Sequence, residues 1–365
     1  MSHIDNKRKV NTATEENVDH KKSKVEQFQD VKSEIGRPLT QQGAMNFDGM
    51  EFFQKLICTK AMNIRTRDEI IFSANKSDKL HFVFKGLCER RFLSVPVFQK
   101  TDKKKWYGFV DLSDIVHYVT TNFGTEKFSM EKDFWKLTSE EEKFKALTVK
   151  DVISSPFTKA NKYNPITQNY SLYSAFEIFA RDPNVHRIPI LDNMHNRHLL
   201  SILTQSQLIK YVYDNLPLLG LKKDLLVKNF QGVNRDVITV KDDVLAIDAF
   251  KILDQKGISG LGILNQKGQL IDTLSVRDLK GMAFDGSLFW KLYKPVGQFL
   301  EYIKNDQTTL RPRNAVWALE TDTFETVLTK IYTNQIHRIF IVDNFESKKP
   351  IAVIALYDLL NQLFP

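Results

Sequence analysis

The dipeptide His-Arg occurs twice in closely similar surroundings, as "NVHRIPILD" at His186-Arg187 and "QIHRIFIVD" at His337-Arg338. Each pair enters a short run of aliphatic residues. A guanidinium is a planar fork of donors and a protonated imidazole adds more, so such a pair suits the oxygens of a phosphate. One pair alone reads equally well as a polar strand end, but two in equivalent places point to a duplicated site. Metal binding is the poorer reading, because neither histidine has a cysteine, aspartate or second histidine at ligand spacing.

A second recurrent set stands near the start of a later helix in each copy. It comprises Asp114 in "GFVDLSDIV", Asp278 in "TLSVRDLKG" and Asp358 in "IALYDLLN", with Gln207 in "ILTQSQLIK". An acid in the first turn is favoured by the helix dipole alone. A carboxylate there, acting only as an acceptor, can also take both hydroxyls of a ribose. A third position lies three residues before Pro96, Pro189, Gly262 and Phe340, and is held by Leu93, His186, Ser259 and His337.

The elements that must position these residues repeat four times beyond residue 45. Each unit reads as an amphipathic helix, a short apolar strand, a turn, a second strand and a second helix. Leu80, Val83, Phe84 and Leu87 have helical spacing, as do Leu172, Ala175, Phe176 and Phe179. Ile247, Phe250 and Leu253 repeat the pattern, followed by Phe324, Val327, Leu328 and Ile331. Asp78, Ser171 and Asp243 are placed to cap these helices. Runs such as "IPIL" and "IFIV" are too short and too β-branched for helix, and read as strands covered on both faces. The expected boundaries are 45–122, 145–216, 222–284 and 291–364 for the four repeats, with a connecting helix at 123–144.

Residues 1–43 are polar and charged with Phe28 their one aromatic, and are expected to be disordered. Lys7-Arg8 and Lys21-Lys22-Ser23-Lys24 within them resemble a bipartite nuclear import signal, though solvated charge explains them as well. The 365 residues, 42% apolar and 11% aromatic, are ample for more than one core. Two cysteines, Cys58 and Cys88, are too few for a disulfide framework and read as small core residues in a reducing compartment. No apolar run is long enough to span a bilayer, and no secretory signal is apparent. The expected location is therefore cytoplasmic, and nuclear as well if the basic clusters act. The net charge of +8 raises the question of nucleic acid, but basic residues are scattered among acids rather than gathered on one face. The glycines of "GISGLG" are in the wrong order for a dinucleotide loop, and no catalytic constellation is found, so an enzyme is not expected.

The fourfold unit, best seen in "NVHRIPILD…LLSILTQSQLIKYV" and "ETVLTKIYTNQIHRIFIVD…IAVIALYDLLNQL", resembles the cystathionine-β-synthase (CBS) domain. The arrangement of four, with Asp, non-Asp, Asp, Asp at the helix starts and His-Arg in copies two and four, resembles the γ regulatory subunit of AMP-activated (SNF1-type) protein kinase. The resemblance implies an α/β fold of α+β CBS repeats, in two tandem pairs (Bateman modules) forming a pseudo-fourfold flat disc. It implies AMP, ADP or ATP as regulatory ligands in clefts between paired repeats, with no metal or redox cofactor. Asp114, Asp278 and Asp358 would hold ribose; His186, Arg187, His337, Arg338 and Ser259 would face phosphates; Gln207 would mark an empty site. The implied partners are a catalytic α-type and a scaffold β-type kinase subunit, with no membrane and no nucleic acid. The alternative is a non-sensing CBS scaffold that regulates a phosphatase, transporter or other partner. Leu93, Asp111, Ser206 and Ala355 depart from the γ-subunit pattern, and Asp111 adds negative charge where an anion is expected.

Overall fold

The computed structural model describes residues 49–64, 71–99, 102–126, 130–153, 164–233, 235–282, 289–304 and 314–364. The charged segment at 1–43 and its basic clusters lie outside the described residues.

Four three-stranded sheets recur along the chain. In the first, β1 (Ala74–Asn75) leads into α-helix Leu80–Glu89, then β2 (Ser94–Gln99), β3 (Asp102–Asp111) and α-helix Leu112–Phe123. β1 runs parallel to β2, and β3 antiparallel to it. The same order gives β4 (Ile166–Thr167), β5 (Arg187–Leu191) and β6 (Leu199–Thr204); then β7 (Thr239–Lys241), β8 (Gly260–Leu264) and β9 (Leu270–Ser275). The last sheet is β10 (Trp317–Leu319), β11 (Arg338–Val342) and β12 (Pro350–Ala355). The opening strand of each sheet is two or three residues long, too short to leave a period in the sequence. Every residue of β5 is buried, as expected for a strand covered on both faces.

The repeats exchange their leading segments. Lys60, which precedes the first sheet, bridges Ser171 of the second copy, while Thr148, which precedes the second sheet, bridges Lys79 of the first. The later pair repeats the swap, with Leu226 bridging Thr323 and Pro295 bridging Leu245. Phe52, Phe53 and Leu56 are thereby buried with Phe176 and Phe179, not with their own sheet.

Two large cores close a ring. One joins Phe84, Val116 and Val119 of the first copy to Ile247, Phe250 and Leu253 of the third. The other joins Phe176, Leu208 and Val212 to Val327, Leu328 and Leu359, that is, copy two to copy four. Burying one such side chain contributes about 1.5–3 kcal/mol. Within each tandem pair, besides the exchanged leading segments, the sheets meet: Phe98, Trp106 and Phe109 pack on Leu191, and Leu270 on Phe340 and Val342. Each repeat therefore touches its tandem partner through strands and one repeat of the other pair through helices, and all four strand-to-helix corners turn inward.

Some local expectations are corrected. Ser171 does cap its helix, accepting from the Ser174 amide, but Asp78 and Asp243 do not occupy cap positions. Asp78 accepts from the Asn75 amide at 2.8 Å instead, closing the turn that precedes the helix. The last helix of copy three is a 3₁₀ segment, Val276–Met282, with Gly281 so close to Ile303 that a Cβ would stand 2.0 Å from its Cγ2. Cys58 is exposed rather than in the core, and Cys88 is partly buried. Among the described residues no helix is long and apolar enough to cross a membrane.

Candidate functional site

The recurrent acids are held by the first turns of their helices. The Asp278 carboxylate accepts from the Ser275 amide at 2.7 Å and its hydroxyl at 3.0 Å. Asp358 accepts from the Ala355 amide at 2.7 Å, and Asp114 from the Asp111 amide at 2.9 Å. Gln207 does the same with its amide oxygen, accepting from the Thr204 amide at 2.8 Å. Each is the third residue of a helix and reaches back to the residue before it, satisfying an amide that the helix leaves unpaired. At Ala355 the exchange is one-sided, because alanine has no acceptor to return. One oxygen of each carboxylate is thus spent on the cap, which orients the other; Gln207 spends its only side-chain oxygen there.

The two arginines are positioned across the sheet interface, each by the preceding repeat. Arg187 donates through Nη2 to Asp111, and both side chains are 8% exposed. Its guanidinium lies 5.5 Å from the Phe109 ring centroid. Arg338 donates to the Gly260 carbonyl at 2.9 Å and to the Ser259 hydroxyl. The missing side chain at Gly260 makes room for it, because a Cβ there would stand 2.8 Å from Arg338 Nε and displace the guanidinium. Ser259 is therefore a hydrogen-bond partner of Arg338.

Two further cations were not singled out in the sequence. Arg277 Nη2 lies 3.4 Å from His337 Nε2, and its Nη1 donates to the Gln335 carbonyl at 3.1 Å. Lys280 Nζ donates to the carbonyls of Leu87 and Phe92 at 3.0 and 2.9 Å, tying copy three to copy one. The signal available was adjacency: Arg277 immediately precedes Asp278 in the same first turn. Ser206 adds a hydroxyl 3.2 Å from His337 Nε2.

This crowding of positive charge is visible in the acid–base balance. Burial, with Arg277 and Arg338 next, pushes His337 down to about 3, so the imidazole is neutral. Burial and Arg187 lower His186, against the pull of Asp111. His186 retains an exposed surface, so water in the cavity limits the size of that shift but not its direction. Burial brings Arg338 down to about 10 although Asp278 opposes it, and brings Lys280 down to about 8. Burial raises Asp358 above the usual carboxylate range. Burial would raise Asp111 too, but Arg187 and the Ser113 amide together hold it low.

All of these side chains except one open onto a single cavity of about 1010 Å³, walled by every repeat. His186 and Arg187, Ser259 and Asp278, and His337, Arg338 and Asp358 line it, together with Arg277 and Lys280. The exception is Asp114, which is 1% exposed and stands behind the wall, while Asp111 takes the wall position. Gln207 lines the cavity as a neutral residue whose side-chain oxygen is held by Thr204. No group of side chains that could hold a metal ion occurs among the described residues. The arrangement provides oriented acceptors at helix starts and a knot of donors between them, of which Arg187 is buried, and it suits a ligand with hydroxyls at one end and anionic oxygens at the other.

Residues 227–283 match the CBS domain family. Over 183 residues, 49% of this chain, the sequence is 26% identical to the 5'-AMP-activated protein kinase subunit gamma of Dictyostelium discoideum, of which 31% is covered. Over 307 residues, 76% of this chain, it is 23% identical to Protein SDS23 of Debaryomyces hansenii, of which 54% is covered. The chain thus spans about a third to a half of the length of these curated relatives. Among solved structures, a Methanocaldococcus jannaschii protein described as a candidate archaeal homologue of γ-AMPK superposes with a TM-score of 0.60 at 18% identity. That match covers 83% of this chain and 99% of the other, and at such identity the likeness is one of fold.

Proposed function

Because this chain is a CBS-domain protein of tandem repeats resembling the kinase γ subunits, we propose that it is a regulatory, non-catalytic subunit that senses adenine nucleotides in its central cavity. The observation that carries the reading is the convergence of Arg187, Arg277 and Arg338 with two imidazoles on a cavity whose rim bears Asp278 and Asp358. Burial lowers the proton affinity of His337 and Arg338, the neighbouring arginines add to it, and a phosphate anion offsets both. Asp278 and Asp358 hold ribose hydroxyls through the oxygen not used in the helix cap. Arg187, Arg338, His186 and His337 contact phosphate, with Ser259 holding Arg338 in place and Arg277 joining the group. Asp114 contributes least, since it lies behind the wall.

The functional repeats in this reading run 45–122, 145–216, 222–284 and 291–364. Sensing requires AMP, ADP and ATP to bind two conformations unequally, and the sheet and helix contacts that ring the cavity are the surfaces through which such a difference reaches a partner. The partners are a kinase catalytic subunit and a scaffold subunit, as the name of the Dictyostelium relative supports. The protein works in the cytoplasm, and in the nucleus where its basic clusters act.

Titration of the full chain with adenosine, AMP, ADP and ATP tests the reading: saturable binding of at least one phosphorylated form, tighter than adenosine, is expected. A second reading is favoured by two of the SDS23 relatives, which match 66% and 76% of the chain where the kinase γ subunits match 49% and 54%. In it the protein is a non-sensing scaffold for another partner, and identification of what copurifies with the endogenous protein separates the two.

A further inference from the structure

The two arginines at the cavity centre are held in chemically opposite ways. Arg338 rests on neutral acceptors, the Ser259 hydroxyl and the Gly260 carbonyl. Arg187 rests on a charge, the Asp111 carboxylate, in a pair that is 8% exposed on both sides. The second terminal nitrogen of Arg187, Nη1, is buried with no hydrogen-bond partner among the described residues. Buried donors are rarely left so, and each such case calls for an explanation. The residue as a whole is 7% exposed and lines the cavity.

The helix cap does not require that charge. Asp111 ends its strand where Thr204, Ser275 and Ala355 end theirs, as the strand registers show. Thr204 caps its helix with a hydroxyl, and Ala355 lacks any side-chain acceptor. Asp111 spends one oxygen on the Ser113 amide at 2.9 Å, a bond that a serine or asparagine also makes. The other oxygen goes to Arg187 Nη2, one of the nitrogens with which a guanidinium grips an anion in a fork.

We propose that Asp111 is a specificity-determining residue: by occupying one arm of the Arg187 fork, it makes this end of the cavity select for an anion of low charge and reject polyphosphates. As the guanidinium turns toward the cavity that Arg187 lines, a single phosphoryl oxygen can accept from Nη1 and give that donor the partner it lacks. A triphosphate brings further negative charge toward a fixed carboxylate and finds no forked grip. The end of the cavity at Arg338, held by neutral groups, has no such discrimination. This deepens the adenine-nucleotide reading and rests on it for the identity of the ligand, but the anion chemistry is testable without the nucleoside.

The test compares full-length wild type with Asp111→Ser by calorimetric titration with inorganic phosphate, tripolyphosphate, AMP and ATP. Asp111→Asn serves as a second variant that keeps the cap acceptor, and thermal melting checks both for folding. Removal of the carboxylate is expected to tighten tripolyphosphate about tenfold, equal to about 1.4 kcal/mol, and phosphate less than about threefold. Adding Arg187→Gln to Asp111→Ser should abolish the gain. An unchanged or weakened tripolyphosphate affinity overturns the proposal, as does a gain that survives loss of Arg187. If the tripolyphosphate gain appears but neither protein binds AMP or ATP, the role of Asp111 stands and the nucleotide reading falls.

Discussion

Arg277 Nη2 lies 3.4 Å from His337 Nε2, so a guanidinium of the third repeat donates to an imidazole of the fourth, which must be neutral to accept it. Across the cavity the same imidazole nitrogen lies 3.2 Å from the Ser206 hydroxyl of the second repeat. Three repeats thus meet at one ring whose protonation is suppressed to about 3.

That suppression gives a pH dependence with a definite sign. The folded-state value lies below the ordinary histidine value of 6.5, so between the two the unfolded chain holds more protons. Stability therefore rises with pH through that window and falls on acidification from about pH 6.5 downward; His186, also lowered, acts in the same direction. Thermal melting of ligand-free protein should show Tm falling from pH 7 to pH 5. His337→Gln should flatten that slope, and an equal slope in the variant would remove His337 as its source.

Anion binding should reverse the suppression. A phosphate beside the imidazoles favours their charged form, so binding near pH 6 takes up protons. Calorimetric titration of tripolyphosphate in buffers of different ionisation enthalpy is expected to show net uptake. Net release, or none, would place the anion away from both histidines.

Asp278→Ala and Asp358→Ala should each weaken nucleotide binding by about 1–3 kcal/mol, the scale of a lost charge-assisted bond. As surface-type acids at helix starts, Asp278 and Asp358 would be expected from sequence alone to be replaceable with little effect on folding. The structure alters that expectation, because each carboxylate also caps a helix amide, and loss of a cap costs about 1 kcal/mol. Asn at either position keeps a cap acceptor while removing the charge. Asn variants that bind as wild type would show that the carboxylates serve their helices alone.

Gly260→Ala should drive the Arg338 guanidinium from its seat, given the 2.8 Å separation a Cβ would have from its Nε. Overpacking of this kind costs about 1–3 kcal/mol. Phosphate-bearing ligands should lose affinity while adenosine does not, and equal losses for both would contradict the assignment of Arg338 to phosphate. Replacing Arg187 and Arg338 together with Gln should likewise flatten the preference among AMP, ADP and ATP more than it weakens adenosine.

The fold was legible where residues repeat with a period. Phe324, Val327, Leu328 and Ile331 form one buried helix face, as their spacing requires. The "IPIL" and "IFIV" runs are strands. The short opening strands and the exchange of leading segments were not legible, because two-residue strands have no period and a segment's core does not depend on its sequence neighbours. At the site, residues marked by repetition were found: the His-Arg pairs and two of the three acids line one cavity. Asp114 shares their register yet is buried behind the wall, where Asp111 and Ser113 of the same turn line the cavity. Arg277 and Lys280 were missed because neither has a counterpart in the other copies, and only the packing of repeat on repeat brings them to the centre.

The most direct measurement is an experimental structure of the full chain with AMP bound. The account predicts the ribose hydroxyls on Asp278 or Asp358 and the phosphate among Arg187, Arg277, Arg338 and the two histidines. AMP bound outside the cavity, or a cavity that stays empty at saturating millimolar AMP, would contradict it.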